Sequence, residues 1–176
     1  SPAIVFASST QATLENLYGQ SKQLAEECVF GYGQQSQADV HVFRLPNVFG
    51  KWARPNYNSA IATFCHNISR DLQIKIRDPL APLSLLYVDD LMAQFLRIVD
   101  GDPAPDNGVF ASVTPIYQTT VGEVADKLQG FRDSRASLHM DRVGDGLMRA
   151  LYATYVSYLP VHYLDFGICR PKNSMS

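Results

Sequence analysis

The first 45 residues place one long run of helix-forming residues between two short apolar runs. The apolar runs cover 2–8 and 39–45, and their continuous character suits strands that are buried on both faces of a parallel sheet. The segment between them predicts a helix over 17–34 that ends near Gly31 and Gly33. A strand, a helix and a second strand in this order predict a right-handed crossover, in which the two strands run parallel.

The rest of the chain continues this alternation of short apolar runs and helical patterns. Periodicity predicts further helices over 59–70, 89–99, 120–129 and 144–156, and strands over 73–76, 83–88 and 108–113. Thr120 and Glu123 have the spacing of a capping box, which favours a helix start at that point. Residues 161–176 show no clear period and predict loop or disorder.

A tyrosine and a lysine stand four residues apart at the start of the first predicted helix. Tyr18 and Lys22 therefore share one helix face. An ammonium group beside a phenol stabilises the phenolate and lowers the pKa of the phenol towards neutrality. Such a phenol can exchange a proton with a carbonyl or an alcohol during hydride transfer, and the hydroxyls of 8–10, at the end of the first strand, are placed to hold the same oxygen. Because this spacing also occurs by chance on many helices, the pair alone decides no function.

A polar segment follows the second predicted strand at its carboxyl end, which is the end that faces ligands in open α/β sheets. It begins at 46–50 and continues as a loop over 51–59 that is rich in hydrogen-bonding groups and contains the cations Lys51 and Arg54. The loop has two interpretations, an anion-binding lid or an ordinary solvated loop.

Two adjacent carboxylates, Asp89 and Asp90, open a predicted helix. Aspartate at a helix start is expected for capping and because it complements the helix dipole. An acid–base or metal role is the weaker interpretation, since no third ligand is nearby in the sequence.

Composition argues against several classes of protein. A formal net charge of −2 gives no support for nucleic-acid binding through bulk charge, and no apolar run approaches the roughly 20 residues of a membrane span. No basic segment followed by an apolar run predicts a signal peptide. The widely spaced Cys28, Cys65 and Cys169 predict a reducing, cytoplasmic environment with neither a disulfide framework nor a metal site.

The order of these motifs resembles the extended short-chain dehydrogenase/reductases, the NAD-dependent epimerase/dehydratase family that acts on nucleotide sugars. Within that family the chain looks like one branch, the capsular polysaccharide reductases CapF and WbjC. The phrases that carry this closer resemblance are 8–12, 50–59, 62–67, 87–90 and 151–160.

The resemblance implies an α/β fold: part of a Rossmann-type, doubly wound parallel sheet without its N-terminal half, plus a small substrate-binding subdomain. Residues 1–160 would be the C-terminal part of the dehydrogenase domain, without the cofactor-binding half and the cupin domain of the branch, and 161–176 an unrelated tail. The glycine-rich dinucleotide fingerprint of the family does not occur in this sequence. Because half a sheet exposes an unpaired edge, a homo-oligomer, in particular a dimer, is expected.

The resemblance also implies roles for individual residues. Tyr18 would be the catalytic acid and base, Lys22 would bind the nicotinamide ribose and tune Tyr18, and Ser9 would hydrogen-bond the reacting oxygen. The remaining implied contacts are to the nicotinamide pocket (Leu45 and Pro46), to the sugar-nucleotide phosphates (Asn47), and to the diphosphate or sugar (Lys51, Arg54, Asn56 and Asn58). No metal is implied.

The activity implied by the branch is NADPH-dependent reduction of the C4 ketone of a UDP-linked 6-deoxy-N-acetylhexosamine, for capsule or O-antigen synthesis. A chain without the dinucleotide fingerprint is expected to be inactive alone. Two other hypotheses stay open on the sequence: a nucleotide-sugar epimerase or dehydratase of the same superfamily, and a non-enzymatic remnant or binding module.

Overall fold

The computed structural model describes residues 3–102, 106–107, 109–137 and 142–163. These residues divide into two compact units, the first within Ser1–Gly50 and Ile76–Val124 and the second within Lys51–Lys75 and Ala125–Ser176. None of the helices in the described ranges has both the length and the apolar character that a bilayer crossing requires.

The first unit opens with the predicted crossover. Strand β1 (Ile4–Ser9) leads into a short 3-10 helix (Thr10–Thr13), helix α1 (Leu17–Ser36) and strand β2 (Val40–Leu45). β1 and β2 pair in parallel, and their register runs from Ile4 opposite Val40 to Ser9 opposite Leu45. The parallel pairing confirms the arrangement predicted from the two apolar runs.

The other elements of the first unit complete two sheets. The described strands form one sheet in the order β1-β2-β6-β5 and another in the order β3-β4-β7. β1 stands at the end of the first order, and the dimer expected from an unpaired sheet edge stays a prediction. The remaining bounds are β3 (Asn47–Phe49), β4 (Pro82–Tyr87), α3 (Val88–Val99), β5 (Asp106–Asn107), β6 (Phe110–Ala111) and β7 (Tyr117–Thr120).

The core of the first unit lies between its sheet strands and α3. Phe43 is fully buried on β2 and its ring centroid lies 5.2 Å from that of Phe95 on α3. The apolar residues on one face of α3 account for its amphipathic pattern and bury that face against the strands. The cluster comprises Phe43, Leu45, Leu86, Leu91, Ile98 and Val113.

The second unit is helical. α2 (Ala60–Ile68) contacts α5 (Gly146–Ser157), and a second 3-10 helix covers Val161–Tyr163. From Ala125 onward, α4 (Val121–Ser137) also belongs to this unit, and its Phe131 ring lies 5.2 Å from Tyr152 and 6.0 Å from Tyr155. Cys65 of α2 is fully buried, and burial raises the pKa of its thiol.

The capping box at the start of α4 is confirmed. The backbone N–H of Glu123 donates to Thr120 Oγ1 at 3.2 Å, and the backbone N–H of Thr120 donates to Glu123 Oε2 at 3.2 Å. The helix extends to Ser137, well beyond the predicted end near residue 129.

Three further predictions, one helix end and two strands, were wrong in whole or in part. α1 continues through both glycines to Ser36 and ends where Gln37 adopts a left-handed backbone with φ 54°. Gly33 instead marks close packing, since a Cβ there would lie 2.6 Å from a Val40 methyl group. Residues 73–76 lie outside any strand, and within 108–113 only Phe110–Ala111 is described as strand. Of the predicted tail, 164–176 lie outside the described residues.

Candidate active site

The N-terminus of α1 fixes the backbone of the Tyr18–Lys22 pair. Asn16 caps the helix, and its side-chain Oδ1 accepts a hydrogen bond of 2.8 Å from the Gly19 backbone N–H. The Lys22 Nζ atom lies 5.7 Å from the centroid of the Tyr18 ring, so the two side chains share one face of the helix. Tyr18 is 50% exposed.

Gly19 brings the start of α1 against the turn that follows β1. A Cβ at this position would lie 2.1 Å from the carbonyl oxygen of Leu14 and 2.7 Å from that of Gln11. Real Cβ atoms do not approach backbone oxygens so closely, so only glycine permits this contact. The glycine between Tyr18 and its lysine partner therefore sets the distance between the tyrosine and the end of β1.

Gly19→Ala is expected to lower the free energy of unfolding by about 1–3 kcal/mol, because the added methyl group forces α1 away from the turn. Chemical denaturation measures the change. Gly31→Ala is the matched control on the same helix, since a Cβ there meets no atom within 4 Å. That variant is expected to be neutral or slightly more stable, as alanine is the better helix former by about 0.5–1 kcal/mol. Equal losses in both variants would contradict the packing argument.

Ser9 is the last residue of β1 and caps the following 3-10 helix. Its Oγ accepts a hydrogen bond of 3.1 Å from the Gln11 backbone N–H. A hydroxyl that accepts such a bond keeps its own O–H as a donor. Ser9 also stands opposite Leu45 in the strand register, so the carboxyl ends of β1 and β2 meet at the same edge of the sheet.

The residues predicted for the nicotinamide pocket and the phosphates follow β2 directly. Leu45 is only 6% exposed, and its side chain belongs to the core cluster with Leu86. Pro46 is half-buried between β2 and β3, and Asn47 is exposed as the first residue of β3. Leu45 therefore supports the strand end through packing, while Asn47 presents its amide to solvent.

The polar loop at 51–59 belongs to the second unit, where Lys51 is half-buried and Arg54, Asn56 and Asn58 are exposed. Two contacts order the loop. The Asn56 backbone, with φ 56°, donates from its N–H to Thr63 Oγ1 at 2.9 Å, and the Arg54 guanidinium lies 5.8 Å from the Tyr57 ring centroid.

A buried ionic cluster lies one helical turn beyond Lys22, and sequence reasoning missed it. Glu26 of α1 is only 4% exposed and accepts hydrogen bonds from Arg44 Nε at 3.0 Å and from Arg44 Nη2 at 2.6 Å. The Ser8 hydroxyl donates to the same carboxylate. The Arg44 guanidinium lies 3.9 Å from the Phe110 ring centroid, which holds it in place from another side. The signal in the sequence was a cation within an apolar strand, because such a charge requires a partner.

Charge and hydrogen bonding keep the Glu26 side chain ionised. Burial on its own raises the pKa of this carboxyl group. The hydrogen bonds from Arg44 and Ser8, together with the charges of Arg44 and Lys22, outweigh burial and hold the pKa of Glu26 below its ordinary value. Hydrogen bonding to Glu26 in turn raises the pKa of Arg44.

The two carboxylates at the start of α3 accept hydrogen bonds from tyrosines. Asp89 accepts one of 2.9 Å from the Tyr87 hydroxyl, and Asp90 accepts one of 3.3 Å from the Tyr117 hydroxyl. Their position in the first turn agrees with the predicted dipole role. The predicted capping role was wrong, because the N-cap residue is Tyr87 and it makes no side-chain capping hydrogen bond. Within the described ranges, no group of three or more His, Cys, Asp or Glu side chains is arranged to hold a metal ion.

Comparison with known proteins identifies the family. The model of the NAD dependent epimerase/dehydratase family matches residues 4–110, which include β1, α1, β2 and the Tyr18–Lys22 pair. The chain belongs to this family.

Three individual proteins show how similar this chain is to known sequences and structures. UDP-2-acetamido-2,6-beta-L-arabino-hexul-4-ose reductase from Pseudomonas aeruginosa is 52% identical over 165 residues, which cover 94% of this chain and 44% of that protein. The capsular polysaccharide assembling protein CapF from Staphylococcus aureus matches with a TM-score of 0.87 at 41% identity, over 92% of this chain and 44% of that one. RMD from Pseudomonas aeruginosa, solved in complex with NADPH, shares the fold at a TM-score of 0.65 and 19% identity, over 90% of this chain and 67% of that one.

These likenesses confirm the predicted family, its CapF-like branch and the α/β fold of partial Rossmann type. The chain spans less than half the length of the Pseudomonas reductase and of CapF.

Proposed function

We propose that this chain carries the proton-transfer residues of a nucleotide-sugar reductase, and that its site is complete only together with a dinucleotide-binding segment. The main support for this proposal is the position of the Lys22 ammonium group beside the half-exposed Tyr18 ring at the start of α1. The 52% identity to a UDP-hexulose reductase supports the reaction class.

The proposed reaction converts the C4 ketone of a UDP-linked 6-deoxy-N-acetylhexosamine into an alcohol. NADPH would supply the hydride for the new C–H bond at C4 and would be oxidised to NADP⁺. Tyr18 donates its phenolic proton to the carbonyl oxygen, and the Lys22 ammonium stabilises the phenolate that remains. Ser9 donates a hydrogen bond to the same oxygen and orients the ketone.

The residues present fit one part of the cofactor. The proposed contacts of Tyr18 and Lys22 are to the nicotinamide ribose. Pro46 and the strand end at Leu45 would line the nicotinamide pocket, although the Leu45 side chain itself is packed in the core. The sequence contains no Gly-x-x-Gly-x-x-Gly turn to cradle the pyrophosphate. NADPH binding and turnover by this chain alone are therefore expected to be negligible.

The proposed substrate contacts come from the polar residues after β2. Asn47 would bind the sugar-nucleotide phosphates through its exposed amide. The loop cations Lys51 and Arg54 would offset the charge of a diphosphate. The side-chain amides of Asn56 and Asn58 would hydrogen-bond the diphosphate or the sugar.

A chimera with the Pseudomonas reductase tests this proposal. The 165 matching residues of this chain replace the corresponding stretch of that protein, which supplies the remaining sequence. We expect the chimera to consume NADPH when UDP-2-acetamido-2,6-β-L-arabino-hexul-4-ose is added, with the reduced sugar as product by mass spectrometry.

Three measurements complete the design. The unaltered Pseudomonas protein is the positive control, and the 176-residue chain alone is expected to leave NADPH fluorescence and absorbance unchanged at millimolar cofactor. A thermal-shift series with UDP-sugars measures whether the chain alone retains substrate binding. A folded chimera that binds NADPH and leaves the hexulose unreduced would refute the reductase proposal.

A further inference from the structure

Helix α1 places three ionisable side chains in one stripe at intervals of one turn. Tyr18, Lys22 and Glu26 follow each other at spacings of four residues. The Lys22 ammonium lies beside the tyrosine ring and also contributes, through its charge, to the environment of Glu26. Lys22 therefore stands between a phenol and a buried carboxylate that can both attract it.

The hydrogen bonds of Glu26 favour the phenol over the carboxylate as the neighbour of Lys22. Oε1 accepts from Arg44 Nε and from the Ser8 hydroxyl, and Oε2 accepts from Arg44 Nη2. The planar guanidinium satisfies the carboxylate from one side and neutralises it. Arg44 therefore offsets the charge that Glu26 would otherwise present to Lys22.

The strand register places the partners of Glu26 side by side. Ser8 and Arg44 stand directly opposite each other in the parallel pairing of β1 with β2, so both reach the same helix from one sheet face. The contact of Arg44 with Phe110 adds a third strand, β6, to the support. The cluster thus connects the strands whose ends carry Ser9 and Leu45 to the helix that carries Tyr18.

We propose that Glu26 and Arg44 are positioning residues that act as a matched pair, in which Arg44 cancels the charge of Glu26 and so keeps the Lys22 ammonium available to the Tyr18 phenol. Loss of Arg44 alone frees a carboxylate that draws Lys22 away from the phenol. Loss of Glu26 alone leaves an excess positive charge behind Lys22. Loss of both restores a neutral environment. This inference rests on the proposed function and deepens it, because it names the residues that control the electrostatic environment of the proposed proton donor.

Ionisation of the Tyr18 phenol measures the coupling without cofactor or substrate. The full chain is labelled with tyrosine carrying ¹³C at Cζ, and the Tyr18 signal, assigned by its loss in Tyr18→Phe, is followed against pH. We expect the midpoint to rise by about half to one pH unit in Arg44→Met, to fall by a similar amount in Glu26→Gln, and to return close to the parent value in the double variant.

Two controls separate tuning from general loss of structure. Tyr32 is also exposed on α1, and its midpoint is expected to stay constant in all three variants. In a Lys22→Met background the Tyr18 shifts are expected to shrink strongly, because the lysine transmits most of the effect.

If circular dichroism shows that Arg44→Met does not fold, Arg44→Lys replaces it. A smaller upward shift of the Tyr18 midpoint is then expected, because a lysine lacks the planar fork of arginine.

The proposal is overturned if Glu26→Gln and the arginine variant move the Tyr18 midpoint in the same direction, or if the double variant fails to recover it. It is equally overturned if the shifts persist in full without Lys22. A chimera that fails to reduce the hexulose while these opposite shifts appear would instead count against the reductase assignment alone.

Discussion

Tyr18→Phe in the chimera is expected to lower the rate of hexulose reduction by about 10²–10⁴-fold, the range in which a positioned proton donor acts. Phenylalanine keeps the ring, its contact with Lys22 and the helix start, and removes only the hydroxyl group. Hydride cannot add productively to the ketone unless the oxygen receives a proton. Steady-state kinetics measure the loss in kcat, and NADPH fluorescence titration measures whether cofactor binding is unchanged.

Tyr32→Phe is the matched control, because Tyr32 is exposed on the same helix about four turns further on. This variant is expected to retain full turnover, since it removes a hydroxyl of the same kind away from the helix start. Near-normal turnover in Tyr18→Phe would remove the assigned role of the phenol. An equal loss of turnover in both variants would indicate that the substitutions damage helix α1, and the loss could then not be assigned to removal of a proton donor.

The part of the candidate site that could be predicted from the sequence is the part that local geometry determines. A spacing of four residues on a helix places Tyr18 and Lys22 on one face whatever the rest of the chain does. The pairing of β1 with β2 was likewise implied by an apolar strand on each side of a helix. The residue-level roles came from family resemblance and stay predictions.

The secondary-structure predictions were wrong where one local sequence pattern is compatible with two different structures. Gly33 looked like a helix end, yet its lack of a side chain serves close packing on Val40 inside the helix. Residues 73–76 alternate like a strand, but a strand of that length has no stability without a partner, and partners are not visible in local sequence. The same reasoning explains why β7, which pairs with β4 from a distance of more than thirty residues, was not predicted.

The ionic cluster escaped prediction because it depends on tertiary register. Glu26 and Arg44 are separated by 18 residues, and only the parallel alignment of β1 and β2 and the rotation of α1 bring them together with Ser8. Nothing in the sequence around Glu26 distinguishes it from the adjacent Glu27, which is exposed. A buried charge pair is therefore a product of the fold, and it makes the stability of the fold depend on pH.

Arg44→Met is expected to lower the free energy of unfolding by about 3 kcal/mol near neutral pH, because it leaves the 4%-exposed Glu26 carboxylate without its charged partner. In the parent chain the pKa of Glu26 is lowered, so its stabilising contribution is present above the ordinary glutamate pKa and is lost as the pH falls through the lowered value. In the variant, burial dominates and raises the pKa of Glu26, so acid protonates the carboxyl group and relieves the unpaired charge. The deficit is therefore expected to shrink as the pH falls from neutral towards 4.

Urea denaturation at a series of pH values measures this deficit, and two further variants define its origin. Glu26→Gln/Arg44→Met removes both charges, so most of the stability and little of the pH dependence should return. Arg97→Met breaks the ion pair with Asp102, in which the side chains are 71% and 52% exposed, and such a surface pair is worth about 0–1 kcal/mol. A deficit in Arg44→Met that stays constant with pH, or one no larger than that of Arg97→Met, would mean that Glu26 finds other partners or water. The buried pair would then be unable to act on Lys22 through an uncompensated charge.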